Sequence, residues 1–480
     1  MTDPFVVVGG DAAGLSAASK CKREDPDREV VVFEKGSWVS YAHCGMPYFV
    51  KGEVESLDRL LSLSPEDVAD RGIDLRRNHE VLSVDTDAKT VTVRGRHDET
   101  FEQPYGDLLV ATGAHAVTSP IDGADCEGAF TMHGLDSAAR TRAFLLDPDV
   151  DAVADVGGEP YVDEEEVRHY GAMEPPESVA IVGGGYVGVE MAEAFSAHDL
   201  DVHLFQRSEH VLKPFGEAVA DRVEDHLREQ GVTLHLKSEV EGIRSDADGR
   251  VEAIAFDGQA IAVEMALVGI GIRPNTGIVE GTPVELGDSG AIAVDDYGRT
   301  NVESVYAAGD VAEMRHAVTG EPDWVPLGLT ANRAGRAIGQ TVAGGPDADP
   351  EPVGDIAGTA VVKAFEQECG RTGIVDLDAA REHGFDPVSE TITSRSRSGY
   401  YPGAAETTVT LVADRTSGRL LGGTIVGTDR AAIRIDVLAM ALEQDATVAE
   451  LERTDLAYAP PFAPVWDPIL TAAKVLRGSM

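Results

Sequence analysis

Cysteine is scarce in this chain, and the four present (Cys21, Cys44, Cys126 and Cys369) have no framework or CxxC-type spacing. A disulfide scaffold is thereby disfavoured, and no zinc or iron–sulfur site is expected. Five residues beyond Cys44 stands Phe49, and no second cysteine follows nearby. Cys44 cannot close a local disulfide, so its oxidised form must be a sulfenic acid or a mixed disulfide with an external thiol. Long apolar runs are also missing, which removes a bilayer span. The N-terminus leads straight into Phe5-Val6-Val7-Val8 without a basic region or cleavage site, so a cytoplasmic location is expected. Positive charge is the third scarcity: 40 Lys and Arg stand against 84 Asp and Glu, a formal charge of −44, and only nine of the 40 are lysines. No basic face remains to release counterions, which disfavours a nucleic-acid partner. The acids are dispersed along the chain, as on a surface that must stay hydrated in molar salt, where the Debye length is only ~3 Å.

With 480 residues and 43% hydrophobic content, the chain has material for two or three packed domains. Two segments repeat one βαβ pattern. In the first, Phe5-Val6-Val7-Val8-Gly9-Gly10-Asp11-Ala12-Ala13-Gly14 precedes a helix and the strand Val30-Val31-Val32-Phe33-Glu34. In the second, Val179-Ala180-Ile181-Val182-Gly183-Gly184-Gly185-Tyr186-Val187-Gly188 precedes a helix and Val202-His203-Leu204-Phe205-Gln206. The duplication predicts two bound dinucleotides and an α/β fold: two Rossmann-like domains plus an α+β C-terminal domain. The expected organisation is a first domain from 1–146 and 294–345, an acidic surface insertion at 147–176, a second dinucleotide domain at 177–293, and the C-terminal domain at 352–480.

A glycine-rich turn between strand and helix brings backbone N–H groups and a helix N-terminus to a pyrophosphate. The first turn is degenerate, because Asp11 replaces its middle glycine. Glu34, about 20 residues past Gly14, supplies the carboxylate for ribose hydroxyls, with Lys35 beside it. The second turn is complete, with Gly183, Gly185 and Gly188. At the equivalent of Glu34 it has Gln206 followed by Arg207, an uncharged residue and a cation, which favours a 2′-phosphate. NADPH is therefore the expected donor, with NADH the alternative. Glu190 on the following helix and Gly271 complete this set. Cys44 lies downstream of the first unit beside Ser40, His43 and Pro47, and His43 is a candidate to lower its pKa.

Leu109-Val110-Ala111-Thr112-Gly113 and Val305-Tyr306-Ala307-Ala308-Gly309-Asp310 resemble the ATG and GD motifs of flavoprotein reductases, whose aspartate binds the ribityl chain of FAD. With the Ser-x-x-x-Cys segment and Leu456-Ala457-Tyr458-Ala459-Pro460-Pro461-Phe462, the chain resembles the coenzyme A disulfide reductases. These form a single-cysteine branch of the pyridine nucleotide–disulfide oxidoreductases, alongside NADH oxidases and peroxidases. The resemblance implies FAD and a homodimer whose C-terminal domains cover each other's active sites. It implies further that Tyr458 and one of Tyr400 and Tyr401 approach Cys44 of the other subunit. Coenzyme A contacts carry over to Ser16, Lys20, Arg23, Ser40 and His43, although the family usually has asparagine at the last. Peroxidases and oxidases of the branch carry a histidine where this chain has Ala12, which weighs against peroxide or oxygen as oxidant.

The activity expected is reduction of coenzyme A disulfide with NADPH, through a mixed disulfide on Cys44. The rivals are an NAD(P)H oxidase or peroxidase working through a sulfenic acid, and a low-turnover redox-sensing or electron-carrier flavoprotein. The charge makes its own prediction: the thermal unfolding midpoint should rise by several degrees between about 0.1 M and about 2 M KCl. A midpoint independent of salt in a calorimetric series would remove the halophilic reading.

Overall fold

The computed structural model describes residues 3–480. Phe5–Val8 and Val30–Glu34 are nearly continuous apolar runs and form central strands of a parallel sheet, buried on both faces. The strand order is Val305–Ala307, Asp107–Val110, Phe5–Val8, Val30–Glu34, Asp74–Arg77, all parallel. Its first strand thus comes from a distant part of the chain. The helix Ala12–Glu24 lies against the helix Gly328–Gly344, which closes that face. Contact is backbone-tight: a Cβ on Gly335 would stand 2.1 Å from the Ala13 carbonyl oxygen.

The second sheet repeats the plan, in the order Thr233–Leu236, Asp201–Gln206, Ser178–Val182, Met265–Val268, Ala129–Phe130. Ala129–Phe130 places the crossing into this sheet earlier than a boundary at 146. A three-stranded antiparallel sheet flanks each parallel one. The C-terminal region is a five-stranded antiparallel sheet, Ala360–Ala364, Gln367–Gly373, Leu420–Gly427, Glu406–Asp414 and Pro387–Arg395 in order. The helices Ile435–Glu443 and Pro468–Ser479 share its apolar core. The architecture is the α/β arrangement with an α+β third part that the sequence predicts. Among the described residues no helix is long and apolar enough to cross a membrane.

Segment 147–176 corrects one expectation. It is not a bare surface insertion but carries the helices Ala152–Val156 and Glu164–Gly171. Val153, Val156, Val167 and Tyr170 are buried in the same cluster as Phe49 and Leu57, while Glu164, Glu165 and Glu166 face solvent. Asp155 holds the Arg142 guanidinium at 2.7 Å, and Arg142 donates to the Phe49 and Val54 carbonyls. The acids that dominate its composition mark one face of amphipathic helices, and the other face braces the helix that follows Cys44.

Glu193 joins all three regions. Its buried carboxylate accepts from Lys51 Nζ at 2.7 Å, Lys363 Nζ at 2.6 Å and the Phe365 N–H at 2.8 Å. Removing one partner of a buried ionic cluster leaves the others undercompensated. Glu193→Ala is expected to lower unfolding stability by about 2–4 kcal/mol in urea titrations at molar salt.

Candidate active site

Both glycine turns are built by one device. Gly9 has φ +113°, and a Cβ there would lie 2.1 Å from the Ala111 carbonyl oxygen; Gly183 has φ +110°, with Gly269 O at 2.3 Å. Only glycine fits such a backbone in such a space. The strand-end residues also act alike. Glu34 Oε2 accepts from the Gly10 N–H at 2.8 Å and its Oε1 from the Gly36 N–H at 2.7 Å. Gln206 Oε1 accepts from the Gly184 N–H at 2.9 Å, while its amide NH2 donates to Ser208 Oγ. An amide thus performs the backbone task of the carboxylate without its charge.

A cleft of ≈ 2540 Å3 is lined by both turns and by Cys44. Cys44 is exposed within a short helical turn, His43–Gly45, that leads into the helix Met46–Lys51. Its loop is stitched to the first glycine turn, since Ser40 N–H donates to Gly10 O at 3.1 Å and Tyr41 N–H to Asp11 Oδ1 at 3.1 Å. Ser40 sits at φ +49°, a left-handed conformation that turns the chain between these two contacts.

The electrostatics around Cys44 differ from expectation. His43 turns its Nε2 to Asp11 Oδ2 and stacks on Tyr41, with ring centroids 4.2 Å apart. Burial opposes its charged form, but the hydrogen bond and charge of Asp11 outweigh burial and raise its pKa. Although its surface is exposed to the cleft, Cys44 is shifted upward, first by desolvation between the cleft walls and then by the charge of Glu190. His43 is thus spent on Asp11 and does not activate the thiol. Cys21 and Cys369 are buried, which pushes each up to about 12, as inert structural thiols.

The cleft wall gathers Gly9, Gly10, Asp11, Ala12, Ala13, Glu34, Lys35, Ala111, Thr112, Gly113, Gly309 and Asp310 on one side. On the other it gathers Gly183, Gly185, Tyr186, Val187, Glu190, Gln206, Arg207 and Gly271. Gly14 and Gly188 stand behind the wall, where a Cβ would meet Gly9 O and Gly183 O at 1.9 Å each. Ser16, Lys20, Arg23 and Ser40 do not line the cleft. Lys20 is buried and paired with Glu24, whereas Arg23 is exposed, so the two do not form one free cationic face. Ser16 reaches the cleft only through Asn332, whose Oδ1 accepts its hydroxyl at 2.7 Å. Tyr400, Tyr401 and Tyr458 are 77%, 37% and 50% exposed on the C-terminal domain, away from the cleft of their own chain.

Sequence reasoning missed Tyr48, Lys213, Asn332, Lys363 and Arg371, all on the wall. Of these, Tyr48 carried a readable signal, four residues after Cys44 on one helical face.

The residues fit FAD. Gly113 has φ +66° and open space where a side chain would stand, and the cleft-lining Asp310 carboxylate receives no hydrogen bond from any described residue. Burial raises the pKa of both Asp310 and Glu34, the latter against two backbone N–H bonds that lower it. Two nucleotide cradles opening on one cleft with a thiol define a flavoprotein oxidoreductase. The comparisons with known proteins agree. Residues 3–328 match the sequence model of the pyridine nucleotide–disulphide oxidoreductases, and residues 359–468 match that of their dimerisation domain. The chain belongs to that family, and its cofactors are FAD and NAD(P)H.

The NAD(P)H coenzyme A polysulfide/persulfide reductase of Pyrococcus horikoshii is 38% identical over 99% of both chains. A coenzyme A disulfide reductase of Staphylococcus aureus is 29% identical over 96% of both. Among solved structures, an NAD-dependent persulfide reductase from A. fulgidus has TM-score 0.88 and 33% identity, covering 99% of this chain and 83% of its own. An engineered water-forming NADPH oxidase bound to NADPH has TM-score 0.88 and 25% identity, covering 99% and 98%. The tight first turn predicts that Gly14→Ala abolishes FAD retention, read from the visible flavin absorbance of the purified protein. Full flavin content in that variant would refute the cradle.

Proposed function

We propose that the protein reduces low-molecular-weight disulfides of the coenzyme A type with NADPH, through a mixed disulfide on Cys44. The observation that carries this reading is a single exposed thiol on a cleft shared by both dinucleotide turns. The Cys44 thiolate attacks one sulfur of the disulfide; a bond forms to one coenzyme A, and the other leaves as thiolate. Two electrons then cleave the mixed disulfide, restoring the Cys44 thiolate and freeing the second coenzyme A. Per turnover, one disulfide, one NADPH and one proton give two thiols and NADP+. Bound against Glu34, Gly113 and Asp310, FAD supplies the two-electron passage between nicotinamide and sulfur. Tyr458 and one of Tyr400 and Tyr401 are placed by this reading over Cys44 of the second subunit of a homodimer. Their exposure beside Phe462, Val465 and Trp466 suits a face that another copy covers.

The polysulfide and persulfide names of the relatives favour a second reading on the same chemistry: a coenzyme A persulfide is attacked and hydrosulfide leaves. Preference for NADPH is supported by the loop after Gln206. The engineered NADPH oxidase bears an aspartate-to-alanine change, then an arginine and a serine at the next two positions, and an arginine five beyond the serine. Gln206, Arg207, Ser208 and Lys213 have that spacing here. Neither Arg207 nor Lys213 pairs with a carboxylate among the described residues, and both line the cleft. The Leu212 N–H donates to Gly184 O at 2.8 Å, which seats Lys213 beside the turn.

Cys44→Ser is expected to lose essentially all disulfide- and persulfide-dependent NADPH consumption. A rate equal to the parent's defeats the proposal, and a parent rate with oxygen above that with disulfide favours the oxidase. Arg207→Ala should raise KM for NADPH about tenfold or more, leaving KM for NADH nearly unchanged.

A further inference from the structure

We propose that Glu190 sets the thiolate fraction of Cys44: held by Tyr48 and left without a cation of its own, its carboxylate keeps the thiol protonated once it loses its own proton. The inference rests on Cys44 being the redox thiol, not on which disulfide it attacks.

Glu190 projects from the helix Tyr186–Ser196, which packs against the helix Met46–Lys51. Cys44 and Tyr48 are four residues apart along a stretch whose intervening Gly45 and Met46 are helical, so they share a face. The Tyr48 hydroxyl donates to Glu190 Oε1 at 3.0 Å, and all three residues line the same cleft. Lys363 is the cation that faces Glu190. Lys51 Nζ and Lys363 Nζ, however, both go to Glu193 Oε1, one turn further along the helix. Glu193 is thus neutralised, while Glu190 is left with a neutral phenol.

The groups facing Glu190 are Tyr48 from the cysteine helix, Glu193 on its own helix and Lys363 from the strand Ala360–Ala364. Burial dominates them and raises Glu190 to about 7, so it changes charge in the working range. Facing Cys44 are Glu190 and, from the loop after Val305–Ala307, Asp310; after burial these two carboxylates raise the thiol. The charge on Glu190 therefore bears directly on the ionisation of the thiol. A proton on Glu190 permits the thiolate; its loss opposes it. Disulfide reduction also consumes one proton that a hydride donor does not bring. A protonated carboxyl in the cleft is a store for it, and the thiolate it permits is the nucleophile of the first step.

The test reads alkylation of the reduced holoenzyme by iodoacetamide between about pH 5.5 and about pH 9.5, without disulfide substrate. Mass spectrometry counts modification at Cys44, and Cys44→Ser gives the background from Cys126. Glu190→Gln should be alkylated about three- to tenfold faster than the parent near pH 8, with a lower apparent thiol pKa. Tyr48→Phe removes a hydrogen bond to the charged carboxylate, so Glu190 stays protonated to higher pH. This variant should react faster than the parent near pH 7 and match it near pH 9. Superimposed profiles for Glu190→Gln and parent overturn the inference, as does slower alkylation of that variant. If Glu190→Gln fails to retain flavin, an unchanged Tyr48→Phe profile overturns it instead. A parent enzyme that shows these profiles but turns over no disulfide defeats the proposed function and leaves the coupling standing.

Discussion

One buried carboxylate holds the geometry of the cleft. Glu193 takes a lysine from the cysteine helix, a lysine from the C-terminal sheet and a backbone N–H from the turn that follows that strand. The three parts of the chain that form the cleft walls meet there. A charge so buried is costly unless every lone pair is met, so the cluster specifies relative position more than it adds stability. The same arrangement engages Lys363, the cation that faces Glu190. Cys44 is thereby left in an electronegative environment beside a carboxyl that burial raises to about 7.

The overall charge poses a related problem. Both nucleotide cofactors are polyanions, and a chain at −44 repels them at long range in dilute solution. Salt screens that field beyond a few ångströms, whereas contacts inside the cleft are screened far less. Five cations, Lys35, Arg207, Lys213, Lys363 and Arg371, line the cleft and act there at short range. Surface acids and cleft cations thus act at different ranges and do not cancel.

Much of the fold was legible. The two strand–turn–helix repeats name their own structure, because only glycine permits φ near +110° with a carbonyl about 2 Å from a would-be Cβ. The strand-end pair of Glu34 and Gln206 was equally readable, since a fixed distance along a βαβ unit places both. Segment 147–176 misled because composition records how many acids are present, not which helical face they occupy. His43 misled for a similar reason. Adjacency to Cys44 in sequence suggested a shared environment, yet neighbouring side chains diverge, and the imidazole turned to Asp11.

The sequence by itself determined the two nucleotide cradles, the solitary thiol and the absence of a nearby partner for it. These follow from local backbone sterics and from counting, which need no knowledge of what lies across the cleft. Only the tertiary structure decided which groups surround that thiol. Glu190 and Asp310, the carboxylates that face it, come from two distant segments, and pKa depends on burial and on distances that no spacing encodes. It also decided which cations are spent on structure, as Lys20 and Lys51 are, and which remain to meet a ligand.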